Sequence, residues 1–226
     1  MATKAFETQT VPSNQTVVDD KLKPTAELQI LVGGPYKVDG EEHRYGHTAL
    51  RMKTPLVDVT YDFGRYGATR GMFEESGDGI LRVWTNFAAY IKAENALGRI
   101  TTGFVYSIFD HQVQTVKSHF DGLIAAGKAM PSKDRAGMKV YRLATDYHVL
   151  APNCTTLSLD GAKQAIPNLD AGSEKYNKPE EVLTLKERLA LAATGGAPRL
   201  FLPANLQTFL SSGSPTKPIR IDRYGA

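Results

Sequence analysis

Between residues 46 and 67 the chain reads GHTALRMKTPLVDVTYDFGRYG, two runs of alternating polar and apolar residues on either side of a Lys-Thr-Pro turn. A period of two places every second side chain on one face of a strand, so the segment predicts a β-hairpin. Thr48, Leu50 and Met52 share one face of the first strand, and Val57, Val59, Tyr61 and Phe63 share one face of the second. An apolar sheet face must be covered, which predicts an antiparallel sheet packed against helices. The other face carries His47, Ala49 and Arg51 on the first strand and Asp58, Thr60 and Asp62 on the second. With the turn near residues 53 to 55, His47 lies across from Tyr61 and Asp62, where a histidine and a carboxylate can meet. A one-residue slip would flip all of these side chains together.

Other segments extend an α+β pattern. AELQILVGG, an apolar run closed by glycines, predicts a strand, as do GILRVWTNFAAYI, RITTGFVYSIF and MKVYRLATDY. Asp110 is expected to cap a helix in which Val113, Val116, Phe120, Leu123 and Ile124 follow helical spacing and which Gly127 ends. A second helix is expected over TTLSLDGAKQAI, and a third over KPEEVLTLKERLALAATGG, with Pro179 near its first turn and Lys186 and Arg188 later. Residues 1–25 are polar, are broken by Pro12 and Pro24, and read as an arm. Residues 26–226 read as a single domain whose proline-broken end forms a C-terminal helical extension, packed over the domain or reaching from it.

Composition narrows the function classes. The 226 residues carry 27 basic and 24 acidic side chains, and the excess of +3 is spread along the chain, which gives little hold for nucleic acid. Cys154 is the single cysteine, so there is no intrachain disulfide, and without a CxxC or Cys/His cluster no structural metal is expected. The glycines of DFGRYGATRG follow a strand but precede no helix and no Gly-Lys-Ser/Thr, so they read as turns and no cofactor is expected. The N-terminus lacks the basic start and apolar core of a secretory signal, and no apolar run reaches ~18 residues. Synthesis as a soluble cytoplasmic product without stable membrane insertion is the expectation.

The lone thiol follows a Pro-Asn turn and opens a helix. Asn153 suits the cap, which puts Cys154 in the first turn, where unpaired N–H groups and the helix dipole favour a thiolate. A free thiol titrates near ~8.5 and falls to ~3.5–7.5 beside a helix N-terminus or an imidazolium. The base must come from His43, His47, His111, His119 or His148, all upstream of Cys154. His111 and His119 belong to the helix after Asp110, His43 to the charged loop EEHRYG, and His148 to the turn before the thiol. His47 starts a strand with carboxylates on the next one, and it is the best candidate. Asp62 fits the orienting position best, while Asp58 and Thr60 share its face. Tyr45, Tyr66 and Tyr147 can line a cleft beside the pair, as can Asn153.

Three motifs, Gly46-His47-Thr48-Ala49, Tyr61-Asp62-Phe63-Gly64-Arg65-Tyr66-Gly67 and Asn153-Cys154-Thr155-Thr156, occur in an order that resembles the permuted branch of the NlpC-type papain-like superfamily. They span roughly residues 45 to 165, about half of the chain. The usual papain order places the cysteine first and the histidine downstream, so the order here is circularly permuted. The resemblance extends to small cell-wall hydrolase effectors of type VI secretion systems. It implies a cysteine amidase or endopeptidase acting on peptidoglycan stem peptides, with Cys154 as nucleophile, His47 as base and Asp62 orienting the ring. It also implies a secretion-machinery carrier, a cognate immunity protein and delivery to the periplasm of a target bacterium. Acyl transfer or lipid hydrolysis by the same dyad is a second expectation, and a non-enzymatic secretion or structural protein with a merely buried thiol is a third.

Overall fold

The computed structural model describes residues 23–38, 41–70, 76–96, 98–131, 137–193, 195, 196 and 199–225. Residues 1–22 of the expected arm lie outside the described residues. The strands are β1 (Ala26–Gly33), β2 (Tyr36–Val38), β3 (Glu41–His43), β4 (His47–Lys53), β5 (Asp58–Arg70), β6 (Ser76–Trp84), β7 (Thr101–Ile108), β8 (Lys128–Met130), β9 (Met138–Arg142), β10 (Tyr147–His148) and β11 (Arg220–Tyr224). The helices are α1 (Phe87–Asn95), α2 (Asp110–Ala125), α3 (Cys154–Lys163), α4 (Leu185–Ala193) and α5 (Pro203–Thr208). Among the described residues, nine strands form one open antiparallel sheet in the order β11-β7-β1-β4-β5-β6-β9-β8, with β10 paired to β6. β2 and β3 pair with each other as a separate two-stranded ribbon, with His43 opposite Tyr36. The chain is α+β.

The expected hairpin, β4 and β5, is central in this sheet. Its turn spans residues 54–57, slightly later than expected, because the Thr54 hydroxyl accepts from the N–H groups of Leu56 (3.1 Å) and Val57 (2.9 Å). Val57 is thereby drawn out of the strand and exposed. Ala49 is then opposite Asp62, which leaves His47 and Asp62 on the same face as diagonal neighbours.

Both faces of the hairpin are buried. On one, Leu50, Met52, Tyr61 and Phe63 meet Val116 and Phe120 of α2 and Leu157, Leu159 and Ala162 of α3. The Tyr61 and Phe120 rings stack at 3.8 Å. On the other, Leu31, Ala49 and Trp84 pack against Tyr90 of α1. This second cover overturns one expectation, because GILRVWTNFAAYI is a strand only as far as Trp84. Asn86 accepts a hydrogen bond from the Ala89 N–H (3.0 Å) and caps α1, so the following residues turn helical. The polar face of the hairpin therefore has a roof. Arg51 survives beneath it by pairing with both oxygens of Asp58, at 2.7 and 2.6 Å, and lying over the Phe87 ring.

Other boundaries also differ. Phe109, not Asp110, occupies the cap position of α2, where its N–H is bonded by the Gln112 side chain (2.8 Å), and Asp110 accepts from Thr25 instead. The helix expected over residues 178–196 is split, with a single 3-10 turn at Pro179–Glu181 before α4. Thr184 and Glu187 satisfy each other's backbone N–H groups there, a reciprocal cap that starts a new helix. Of the two alternatives for the C-terminal stretch, it packs against the domain and does not reach from it. Leu206, Phe209 and Leu210 are fully buried, and the chain ends on β11, which pairs with β7 at the sheet edge.

Leu50 has no exposed surface and lies at the junction of β4 with α3, where a Cβ on Gly161 would come within 2.9 Å of it. Leu50→Ala is expected to lower stability by about 2–5 kcal/mol through lost burial and a residual cavity. Urea denaturation checks this, with the exposed Leu56→Ala as a control that stays within about 0.5 kcal/mol.

Candidate active site

Cys154 is the first residue of α3 and its position is held by Asn153. The Asn153 carbonyl oxygen of the side chain accepts from the Thr156 N–H, and the Thr156 hydroxyl accepts from the Asn153 N–H, each at 2.9 Å. Its amide nitrogen donates to the carbonyls of Val149 (2.7 Å) and Phe201 (3.0 Å). With both ends of the carboxamide used inside the protein, Asn153 aims the thiol and has no donor left for a ligand.

His47 opens β4 directly after Gly46, whose φ of 72° permits the turn into the strand. Its Nε2 lies 2.7 Å from Asp62 Oδ1. Asp58 is engaged by Arg51 and the Thr60 hydroxyl has no partner among the described residues, so of the three residues on that face Asp62 is the one that meets the imidazole. His47 also lies close enough to Cys154 for each to shift the other's ionisation. Because Nε2 is directed at Asp62, Nδ1 is the nitrogen left for sulfur. The sheet and α3 thus bring Cys154, His47 and Asp62 into one line.

The flanking tyrosines divide. The Tyr147 hydroxyl is close enough to Cys154 for the thiolate to raise its pKa, and its ring rests on Phe63, 5.7 Å between centroids. Tyr66 donates to Asp62 Oδ1 at 2.8 Å and lines the adjoining cleft, so it supports the carboxylate. Tyr45 is exposed and donates to Glu187 of α4, which ties it to the protein surface and away from the dyad. The remaining histidines stay apart from the thiol: His148 Nδ1 accepts from the Leu150 N–H, His111 stacks on Phe109, and His119 packs edge-on against Phe120.

Burial opposes charge on every member of this line, yet the line charges itself. For His47, burial acts downward but the Asp62 charge and hydrogen bond, with the Cys154 thiolate, raise its pKa from 6.5 to about 10. For Asp62, burial acts upward and is outweighed by the His47 charge and hydrogen bond, the nearby Arg82 charge and the Tyr66 hydroxyl, which hold it below the usual carboxylate value. For Cys154, burial again acts upward, and the His47 hydrogen bond and charge, the Thr48 backbone N–H and the Thr155 hydroxyl bring it below an ordinary thiol. The arrangement favours a thiolate beside an imidazolium over the neutral pair.

Thr48, Thr155 and Arg82 were not anticipated. Arg82 had a legible signal, since it lies directly opposite Asp62 on the next strand, but only once the pairing of β5 with β6 is known. Among the described residues no group of three His, Cys, Asp or Glu side chains is placed to hold a metal ion, and no helix is long and apolar enough to cross a membrane. Compared with protein-family models, curated proteins and solved structures, the chain matches none, so its functional reading rests on the line Cys154, His47, Asp62.

Proposed function

We propose that the protein is a cysteine hydrolase of the permuted papain-like kind, an amidase or endopeptidase that cuts peptide bonds in bacterial peptidoglycan. The observation that carries the hydrolase reading is the buried His47–Asp62 hydrogen bond at 2.7 Å with the Cys154 thiol beside the same imidazole, each group shifting the other's ionisation. The choice of peptidoglycan stem peptides, and of delivery as a type VI effector with a carrier and an immunity partner, rests on the resemblance of the three motifs to that family.

The chemistry follows from the protonation states. The Cys154 thiolate attacks the amide carbon, and the pair of electrons displaced from the carbonyl makes an oxyanion. The Cys154 N–H, in the first turn of α3, is a backbone donor suited to that charge. The His47 imidazolium then gives its Nδ1 proton to the nitrogen as the C–N bond breaks, leaving a thioester and a free amine. Neutral His47 next takes a proton from water, hydroxide adds to the thioester, and the C–S bond breaks to release a carboxylic acid and restore the thiolate. Asp62 keeps the ring oriented and its positive form stable throughout. A carboxylate in the Asp62 position also separates this site from acyl-transfer relatives, which favour a second histidine on the strand after the first.

Purified protein incubated with sacculi should release cut stem peptides. Treatment with iodoacetamide below pH 8 should modify Cys154 and stop that release, because His47 lowers the pKa of the thiol. Absence of release, or release that survives stoichiometric alkylation of Cys154, would overturn the reading.

A further inference from the structure

An open cleft of about 740 Å³ adjoins the site on the sheet face roofed by α1. His47 belongs to both, since its ring meets the thiol and also lines the cleft together with Asp62 and Tyr66. Cys154 is not among the lining residues. The part of a substrate that takes the proton from His47 is the departing amine. The cleft is therefore placed to receive whatever that amine carries.

Its walls hold more cations than anions. Arg82, Lys92 and Arg99 line it, against Asp62 and Glu94. Both carboxylates are committed, Asp62 to His47 and Glu94 to Arg99. The Arg82 guanidinium is stacked on the Tyr66 ring at 3.3 Å, and no acceptor among the described residues bonds it. Lys92 is exposed on α1 and is likewise without an ion pair among the described residues. Arg99 is 7% exposed, and its Nε is buried with no hydrogen-bond partner. A buried guanidinium N–H without an acceptor carries a desolvation cost, so the Arg99 guanidinium is not fully satisfied by the protein although Glu94 pairs with it.

Arg99 is also positioned with unusual economy of space. Gly33 pairs with His47 across β1 and β4, so a Cβ at residue 33 would point to the same face as the imidazole. Such a Cβ would fall 2.3 Å from Arg99 Cδ, which shows that the arginine stem fills the place left by the missing side chain. Stacking of the guanidinium on Tyr36, 4.4 Å from the ring centroid, and the Glu94 ion pair complete its support. One arginine is thus built in beside the catalytic histidine, and a second, Arg82, sits opposite Asp62 on the far strand.

We infer that this cleft is the leaving-group subsite of the proposed hydrolase and binds a carboxylate carried by the departing amine, through Arg82 and Arg99 with Lys92 on α1. The substrate class is then an amide whose amine half is an amino acid or peptide with a free carboxylate. This inference rests on the hydrolase reading for the words "leaving group", but the anion site can be tested without turnover. Trp84 is the only tryptophan in the chain and lines the cleft, so its fluorescence reports occupancy.

In Cys154→Ala protein, titration with the dipeptide Ala-Ala should give a saturable change in Trp84 emission, with Ala-Ala-amide binding at least about tenfold more weakly. Arg82→Gln in the same background should erase the difference between acid and amide. Gly33→Ala, which keeps every charge but displaces the Arg99 stem, should reduce it. Equal affinity for acid and amide, no saturable signal with either, or a preference that survives in both variants would overturn the subsite. Discrimination without any sacculus cleavage by the wild type would remove the hydrolase reading and leave the anion site. Cleavage by a protein that does not discriminate would do the reverse.

Discussion

Cys154→Ala is expected to release no stem peptides from sacculi, a loss of roughly 10⁶-fold by analogy with removal of any nucleophile whose partners act as a unit. The substitution removes one sulfur from a buried site and introduces no polar group, so the fold should persist, with a stability change within about 1–2 kcal/mol by thermal or urea denaturation. No neighbour can substitute for the thiol. Thr155 is fully buried, with its hydroxyl 3.1 Å from the Thr48 hydroxyl, and in the variant burial alone still holds Tyr147 in its protonated form. The measurement is chromatographic release of soluble fragments at equal folded concentration. Cutting at the wild-type rate would remove Cys154 from the mechanism altogether. His47→Ala provides the companion result, because loss of the imidazolium should slow alkylation of Cys154 at neutral pH as well as cleavage.

Asp62→Asn is expected to reduce kcat by about 10²–10⁴-fold and to change the shape of the pH profile. In the wild type, the ion pair exists above the lowered pKa of Cys154 and below the His47 value of about 10, so activity should form a plateau whose alkaline limb falls near that value. The asparagine keeps a hydrogen-bonding side chain opposite Nε2 but removes the charge. Burial, which lowers the His47 pKa, then acts against far weaker opposition, and the imidazolium is lost at lower pH. The Cys154 thiolate loses its charged partner in turn, so its pKa rises. The alkaline limb should therefore move to lower pH while the acid limb moves up, narrowing the plateau from both sides. A purely structural aspartate predicts lower activity with unshifted limbs, and that outcome would reduce Asp62 to a packing role.

Several elements were legible before any tertiary contact was known. The alternation of β4 and β5 is a property of residues two apart, and it correctly separated the Leu50 and Tyr61 face from the His47 and Asp62 face even though the turn lies later than expected. Asn153 before Cys154 and Thr156 three positions after the cap likewise form a local signature, and α3 begins there. Local signals misled where two of them competed. NFAAYI continues the apolar rhythm of β6, but the Asn86 cap ends the strand, and Thr184 with Glu187 divides what helical spacing alone would join.

Distance along the chain explains most of what was missed. β11 is an edge strand whose pairing partner, β7, lies more than a hundred residues upstream, so nothing near Arg220–Tyr224 announces its place. Tyr45 and Tyr147 looked alike as cleft residues, yet one is drawn to Glu187 and the other to the thiol by packing of α4 and β10.

The sequence by itself determined that a His/Asp strand pair and a capped cysteine exist, because periodicity and capping act between near neighbours. Only the tertiary structure decided that α3 lays Cys154 against His47, that α1 seals the polar face of the hairpin, and that Arg82 and Arg99 face a cleft while the nearby carboxylates are already paired. Those outcomes depend on strand order and on burial, and burial is what gives each remaining charge its leverage over its neighbours.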